Sequence, residues 1–120
     1  MLMPAFELHR PISIEEAVAL ARNLIDSGQD FDWVSGGTDL IPNYKWHINT
    51  KPHVISLAGI EEMKSLTMTE IGAGVKLSQM EVSDEIHPLL KTAAGKVASS
   101  LIRKSATLGG NICLDTRCFW

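Results

Sequence analysis

Apolar residues at positions 14, 17, 18, 21, 24 and 25 recur at three- and four-residue intervals, which predicts an amphipathic helix over residues 13–27. Ser13 stands three residues before Glu16, the spacing at which a serine accepts from the glutamate's amide while the glutamate reaches back to the helix start. Gly28 is placed to end the helix in a left-handed conformation. On either side the pattern changes. Residues 5–10 alternate weakly and read as a short strand ended by Pro11, and the runs at 31–34 and 53–57 read as two more strands. Strand, helix, strand, loop, strand predicts a small α/β lobe over residues 1–57 with some parallel pairing.

From residue 58 onward the texture differs. Residues 63–67 and 70–75 read as neighbouring short strands. Residues 77–82 read as one or two helical turns, with Ser78 and Glu81 spaced for a second capping box. A longer helix is expected from Pro88 to about residue 103, carried by Leu89, Leu90, Ala93, Ala94, Val97 and Ala98, and residues 105–113 read as a loop. The expected organisation is the small lobe 1–57 followed by the first part of a larger α+β lobe, 58–120.

Composition narrows the function classes. At 120 residues and 45% hydrophobic, the chain can bury a core. Eleven basic against 14 acidic residues, with no basic run, argue against nucleic acid or an anionic membrane surface as the partner. No apolar run approaches the roughly 20 residues that span a bilayer. The N-terminus lacks the basic and apolar regions of a secretory signal, so a cytoplasmic location is the default expectation. Cys113 and Cys118, the two cysteines, form no disulfide framework. The ending Cys118-Phe119-Trp120 reads as a cut through a continuing fold, so the chain is expected to be an N-terminal fragment.

Two glycine pairs carry the candidate chemistry. A phosphate site needs several backbone amides at close range, and side chains obstruct that approach. Gly36-Gly37 follows a strand and precedes a possible helical turn, with Ser35 and Thr38 able to donate hydroxyl hydrogen bonds. Thr107-Leu-Gly-Gly-Asn111 repeats that logic with a hydroxyl, two glycines and a carboxamide. Each pair alone reads equally as a tight turn. Neither is a Rossmann fingerprint or a Walker loop. Arg103 and Lys104 lie upstream of the second pair, where they would balance phosphate charge or simply form a solvated helix end.

Taken together, Ser35-Gly-Gly-Thr-Asp-Leu-Ile-Pro42, Ile71-Gly-Ala-Gly-Val-Lys-Leu77 and Ala106-Thr-Leu-Gly-Gly-Asn-Ile112 resemble the FAD-binding subunit of the xanthine oxidase family of molybdenum hydroxylases. The resemblance runs along essentially the whole chain. It implies the two-lobed α+β flavin fold of the vanillyl-alcohol oxidase and CO dehydrogenase flavoprotein type, with FAD between the lobes. Ser35, Gly36, Gly37, Thr38 and Asp39 would form one half of a diphosphate clamp. Thr107, Gly109, Gly110 and Asn111 would form the other, with Asp115 a candidate for a ribityl or ribose hydroxyl. The implied partners are a molybdopterin-binding large subunit and a [2Fe–2S] small subunit. The segment 66–71 is short for the hairpin that family members place there.

The tail Asn111-Ile-Cys-Leu-Asp-Thr-Arg-Cys118 is similar to the start of the extra iron–sulfur insertion in the β subunit of 4-hydroxybenzoyl-CoA reductase. On that likeness Cys118 is the first of four ligands to a [4Fe–4S] cluster, and the substrate is an aromatic acyl-CoA. The alternatives are another molybdenum hydroxylase, acting on a purine, an aldehyde or carbon monoxide, and a non-enzymatic nucleotide-binding module. The remaining candidates read as structural. Cys113 fits a small buried hydrophobe. Trp33 and Trp46 fit core or lobe-interface aromatics. The four histidines show no metal-ligand spacing, and no nucleophile–base arrangement stands out.

Overall fold

The computed structural model of the chain describes residues 2–117. Three short parallel strands, β1 (Glu7–His9), β2 (Phe31–Val34) and β3 (His53–Ser56), form a sheet in the order β1-β3-β2. The central strand supplies Val54 and Ile55, both fully buried, as expected for a parallel strand covered on both faces. Helix α1 (Ile14–Asp26) connects the edge strands β1 and β2. Its predicted cap is present: Ser13 Oγ accepts from Glu16 N at 3.0 Å. The Glu16 carboxylate reaches one residue further back than expected, to the amide of Ile12 at 2.9 Å. Gly28 has a φ of +67°, the left-handed conformation anticipated for the helix end. The buried stripe of α1 is narrower than its apolar pattern. Ala17 and Ala21 are buried, while Ile14, Val18 and Ile25 stay exposed.

Helix α2 (Leu40–Lys45) follows the first glycine pair. Its Tyr44 is buried, stands edge-on to Phe6, and donates its hydroxyl hydrogen to Asp32 Oδ2 at 2.6 Å. The Tyr44 hydroxyl oxygen in turn accepts from Lys51 N at 3.1 Å. Burial, reinforced by the Asp32 hydrogen bond, pushes the Tyr44 phenol up to about 12.

The second half is held by four short helices: α3 (Leu77–Glu81), α4 (Pro88–Gly95), α5 (Ser100–Arg103) and α6 (Leu108–Ile112). Val75, Leu77, Met80, Ile86, Ala94 and Ala106 form its core, with Leu66, Ile71, Val97 and Leu108 packed against it.

Four expectations are corrected here. The strand pair at 63–75 reduces to a 3-10 turn at Glu61–Met63 and one antiparallel bridge between Leu66 and Ile71. Gly72 is why the segments stay close, since a Cβ there would meet Met63 O at 2.1 Å. The Ser78–Glu81 capping box is absent. Instead Gln79 Oε1 accepts from Lys76 N at 3.0 Å. The helix expected from Pro88 to about 103 is broken in two. Ala98 takes a φ of +47°, and Ser99 caps a new helix by accepting from Ile102 N. Arg103 satisfies the carbonyls freed at the break, donating to Val97 O at 2.9 Å and Ala98 O at 3.2 Å. Finally, the loop expected at 105–113 contains α6, which Thr107 caps by accepting from Gly110 N at 3.2 Å.

Candidate functional site

Hydrogen bonds and close packing join the two glycine segments, 72 residues apart in sequence. The hydroxyls of Ser35 and Thr107 share a 2.7 Å hydrogen bond. Behind it, Gly36 lies flat against the backbone of 105–106: a Cβ on Gly36 would sit 2.1 Å from Ser105 O and 3.0 Å from Ala106 Cα. Gly109 makes the matching approach to Ala73, where a Cβ would fall 2.8 Å from the alanine methyl. Gly37 has a φ of +72° and turns the chain from β2 into α2. The glycines are therefore needed first for chain-to-chain packing, and the cleft in front of them follows from it.

That cleft has a volume of about 940 Å³. All ten cofactor-binding candidates line it: Ser35, Gly36, Gly37, Thr38, Asp39, Thr107, Gly109, Gly110, Asn111 and Asp115. Ile14, Val18, Trp33, Leu57, Ile60 and Ile102 add an apolar wall. Cys118, the metal-ligand candidate, lies outside the described residues.

The two segments differ in what their amides are free to do. The amide hydrogens of Leu108 and Gly109 are donated to Val75 O and Ala73 O at 2.9 and 2.8 Å, and that of Asn111 to Thr107 O at 3.0 Å. With the Gly110 amide on Thr107 Oγ1, none of these four faces outward. By contrast, the amides of Gly36, Gly37, Thr38, Asp39 and Leu40 have no hydrogen-bond acceptor among the described residues. Five consecutive residues that line the cleft thus have amide hydrogens left for a ligand or solvent.

The electrostatics are unusual for an anion site. Among the described residues no lysine, arginine or histidine lines the cleft, while Asp32, Asp39 and Asp115 do. Asp32 is held by Tyr44. Asp39 is held by Arg117, whose Nη2 donates to Asp39 Oδ1 at 2.9 Å and whose Nη1 donates to Asn43 Oδ1 at 2.7 Å. Asn43 closes the triangle by donating to Asp39 Oδ2 at 3.0 Å. This pair is on the surface, so its stability contribution is at most about 1 kcal/mol. Its effect is to draw the Asp39 charge toward the guanidinium. Sequence reading missed Arg117 because neither its spacing nor its neighbours set it apart.

Arg103 and Lys104 do not serve the cleft. Arg103 Nε donates to Glu81 Oε2 in a largely buried ion pair that ties α5 to α3, and Lys104 is exposed. Arg103 is thus neither a phosphate counter-charge nor a solvated helix end. Cys113 is exposed, not a buried hydrophobe, because it follows the last turn of α6 on the cleft rim. Trp46 is largely exposed and Trp33 about half exposed, so neither is a core aromatic. Trp33 stands edge-on to Phe31 and faces the cleft.

Residues 4–118 match the family described as the FAD binding domain in molybdopterin dehydrogenase. The chain is 33% identical to the carbon monoxide dehydrogenase medium chain of Hydrogenophaga pseudoflava, over 93% of its own length and 40% of that protein. It is 29% identical to a xanthine dehydrogenase FAD-binding subunit of Escherichia coli O157:H7, over 88% of its length and 37% of that protein. Among solved structures, Hydrogenophaga pseudoflava carbon monoxide dehydrogenase lacking the Mo-pyranopterin moiety superposes with a TM-score of 0.85 at 33% identity, covering 93% of this chain and 40% of that one. Reconstituted CO dehydrogenase from Oligotropha carboxidovorans gives 0.83 at 29% identity, covering 92% and 40%.

Proposed function

The chain belongs to the FAD-binding domain family of molybdopterin dehydrogenases, and from that premise we propose that its cleft holds the FAD of a molybdenum-containing oxidoreductase as an electron-transfer subunit. The observation that carries this reading is the run of five free amides at residues 36–40 on the wall of the cleft. With no basic side chain among the described residues lining the cleft, backbone amides are the groups that bind the diphosphate, assisted by the hydroxyls of Ser35 and Thr38. Thr107, Gly109, Gly110 and Asn111 serve differently. The amides of Gly109, Gly110 and Asn111 are internal, so this segment shapes the opposite wall, and Asn111 offers its carboxamide. Asp115 accepts from a ribityl or ribose hydroxyl. The apolar wall excludes water from the heterocycles. Bound FAD supplies one- and two-electron transfer, and the chain's part is to hold and orient it. The division into lobes 1–57 and 58–120 belongs to this proposal, supported by a sheet confined to the first segment and a separate core in the second.

The full-length protein is expected to purify yellow, with one FAD per chain and a flavin absorbance band lost on cofactor removal. A colourless protein whose melting temperature does not respond to added FAD would overturn the proposal. The expected partners are a molybdopterin-binding large subunit and a [2Fe–2S] small subunit in the cytoplasm, and co-purification tests them.

The finer reading is a 4-hydroxybenzoyl-CoA reductase-like subunit, supported by residues 111–118 alone. Cys118 would be a ligand of a [4Fe–4S] cluster with three further cysteines outside this sequence. About four iron atoms per full-length chain, beyond any in partner subunits, are expected on that reading. If the separated subunit contains none, the remaining reading is a carbon monoxide or xanthine dehydrogenase type of subunit, which the names of the similar proteins favour.

A further inference from the structure

On the sheet, away from the cleft, three chemistry-bearing side chains converge. Glu7 and His9 are two residues apart on β1 and so project from the same face. The β1–β3 register pairs Glu7 with His53, which brings the His53 ring to that face as well. His9 Nε2 lies 3.1 Å from His53 Nδ1, and Glu7 Oε2 lies 3.5 Å from the same nitrogen. All three ligand atoms fall within 4.8 Å of one another. Two ligand atoms bound to one zinc ion at about 2.0–2.2 Å in tetrahedral geometry stand roughly 3.3–3.6 Å apart. The cluster is therefore nearly at coordinating distance without any ion.

A fourth residue sets the ring. His53 Nε2 is 3.0 Å from Gln29 Oε1. With the carboxamide oxygen facing the ring, Nε2 carries the hydrogen and Nδ1 presents its lone pair to His9 and Glu7. An outer acceptor that fixes the tautomer of a ligating histidine is the usual companion of a metal site. The His53 side chain is only 13% exposed, whereas Glu7 is 68% exposed, so the ring is fixed and the carboxylate side is open to an arriving ion.

We infer that Glu7, His9 and His53 form a binding site for a divalent cation of the zinc class, with Gln29 orienting His53. Without the ion, His9 donates its Nε2 hydrogen to His53 Nδ1. Binding moves that hydrogen to His9 Nδ1 and leaves both facing nitrogens as ligands. Two neutral imidazoles and one carboxylate suit zinc better than magnesium or calcium, and three protein ligands leave a fourth position for water. The ion bridges the edge strand β1 to the central strand β3. None of the four residues lines the cleft, so the site is independent of the cofactor reading.

The test is calorimetric titration of zinc chloride into the chelator-treated protein, with the melting temperature followed in parallel. One saturable site per chain is expected, with a rise in melting temperature that magnesium does not reproduce. Losing an outer partner lowers metal affinity by about 10- to 100-fold, the range expected for Gln29→Ala, and the ligand variants His9→Gln and Glu7→Gln should lose more. The paired variant His47→Gln, His87→Gln should bind as the parent does. Zinc held by cysteines would survive in His9→Gln and Glu7→Gln, and that result overturns the inference. So does the absence of saturable binding to the parent. Because both ligand variants alter exposed or half-exposed positions of an edge strand, a far-ultraviolet circular dichroism spectrum matching the parent's checks that they are folded.

Discussion

Alanine at position 36 would place a methyl carbon 2.1 Å from Ser105 O, 2.7 Å from Ser105 C and 3.0 Å from Ala106 Cα, all backbone atoms. Cβ atoms essentially never come within 3.0 Å of such neighbours, so the loop at 35–39 and the segment at 105–107 must part by roughly 0.9 Å, the shortfall of 2.1 from 3.0. That displacement stretches the Ser35–Thr107 hydrogen bond and re-aims the free amides of residues 36–40. Overpacking of this kind destabilises by about 1–3 kcal/mol. If the amides bind the diphosphate, a similar loss falls on FAD affinity, a weakening of about 5- to 150-fold at 1.4 kcal/mol per decade. The assay is FAD titration of the flavin-stripped full-length protein by fluorescence, with thermal melting alongside. Gly28→Ala is the control. Its φ is +67° with nothing within 4 Å of the new methyl, so it strains the backbone by about 1 kcal/mol far from the cleft. Gly36→Ala should lose FAD affinity, and Gly28→Ala should lose only stability. Equal FAD affinity in the two variants would refute the reasoning.

Three further outcomes are expected. Thr107→Val removes the α6 cap and leaves the Ser35 hydroxyl without its partner, and loss of a cap typically destabilises by about 1 kcal/mol, readable by urea titration. Arg103→Met should destabilise by about 1.5–3 kcal/mol, the range for hydrogen bonds to a charged group, with FAD affinity unchanged in the folded fraction. Tyr44 has its folded-state value raised from 10.0 to about 12, so its contribution is full below pH 10 and disappears as pH rises through 12. Tyr44→Phe should therefore be less stable than the parent at neutral pH by about 1–3 kcal/mol, and the gap should narrow between pH 10 and 12. A gap that stays constant across that range contradicts the assignment.

Local signals were legible where one residue determines one bond. Ser13, Glu16 and Gly28 bound α1 as their spacing implies, and the three strands fall where the apolar runs are. The break between α4 and α5 was hidden because Leu89 to Ala98 keep an apolar pattern through it. The turn depends instead on Ser99 and on Arg103 reaching back to two carbonyls. Helix α6 was hidden for the opposite reason. Gly109 and Gly110 are poor helix formers, and the turn exists because Val75, Ala73 and Thr107 take its amide hydrogens. The glycine pairs read from sequence as two halves of one diphosphate clamp, and the structure adds that both line one cleft and why glycine stands there. Gly36 and Gly109 allow two distant segments to pack, and the run of consecutive free amides lies on the first segment, at residues 36–40. Glu7, His9 and His53 were illegible as a cluster because strand register, not sequence spacing, brings them together.

The central claim is that residues 36–40 hold the diphosphate of FAD through their backbone amides. A crystal structure of the full-length protein with FAD bound tests it most directly. The account predicts diphosphate oxygens within hydrogen-bonding distance of the amides of Gly36 to Leu40, with Asp39 still turned to Arg117. A diphosphate seated on Gly109 and Gly110 alone, or outside this cleft, would contradict it.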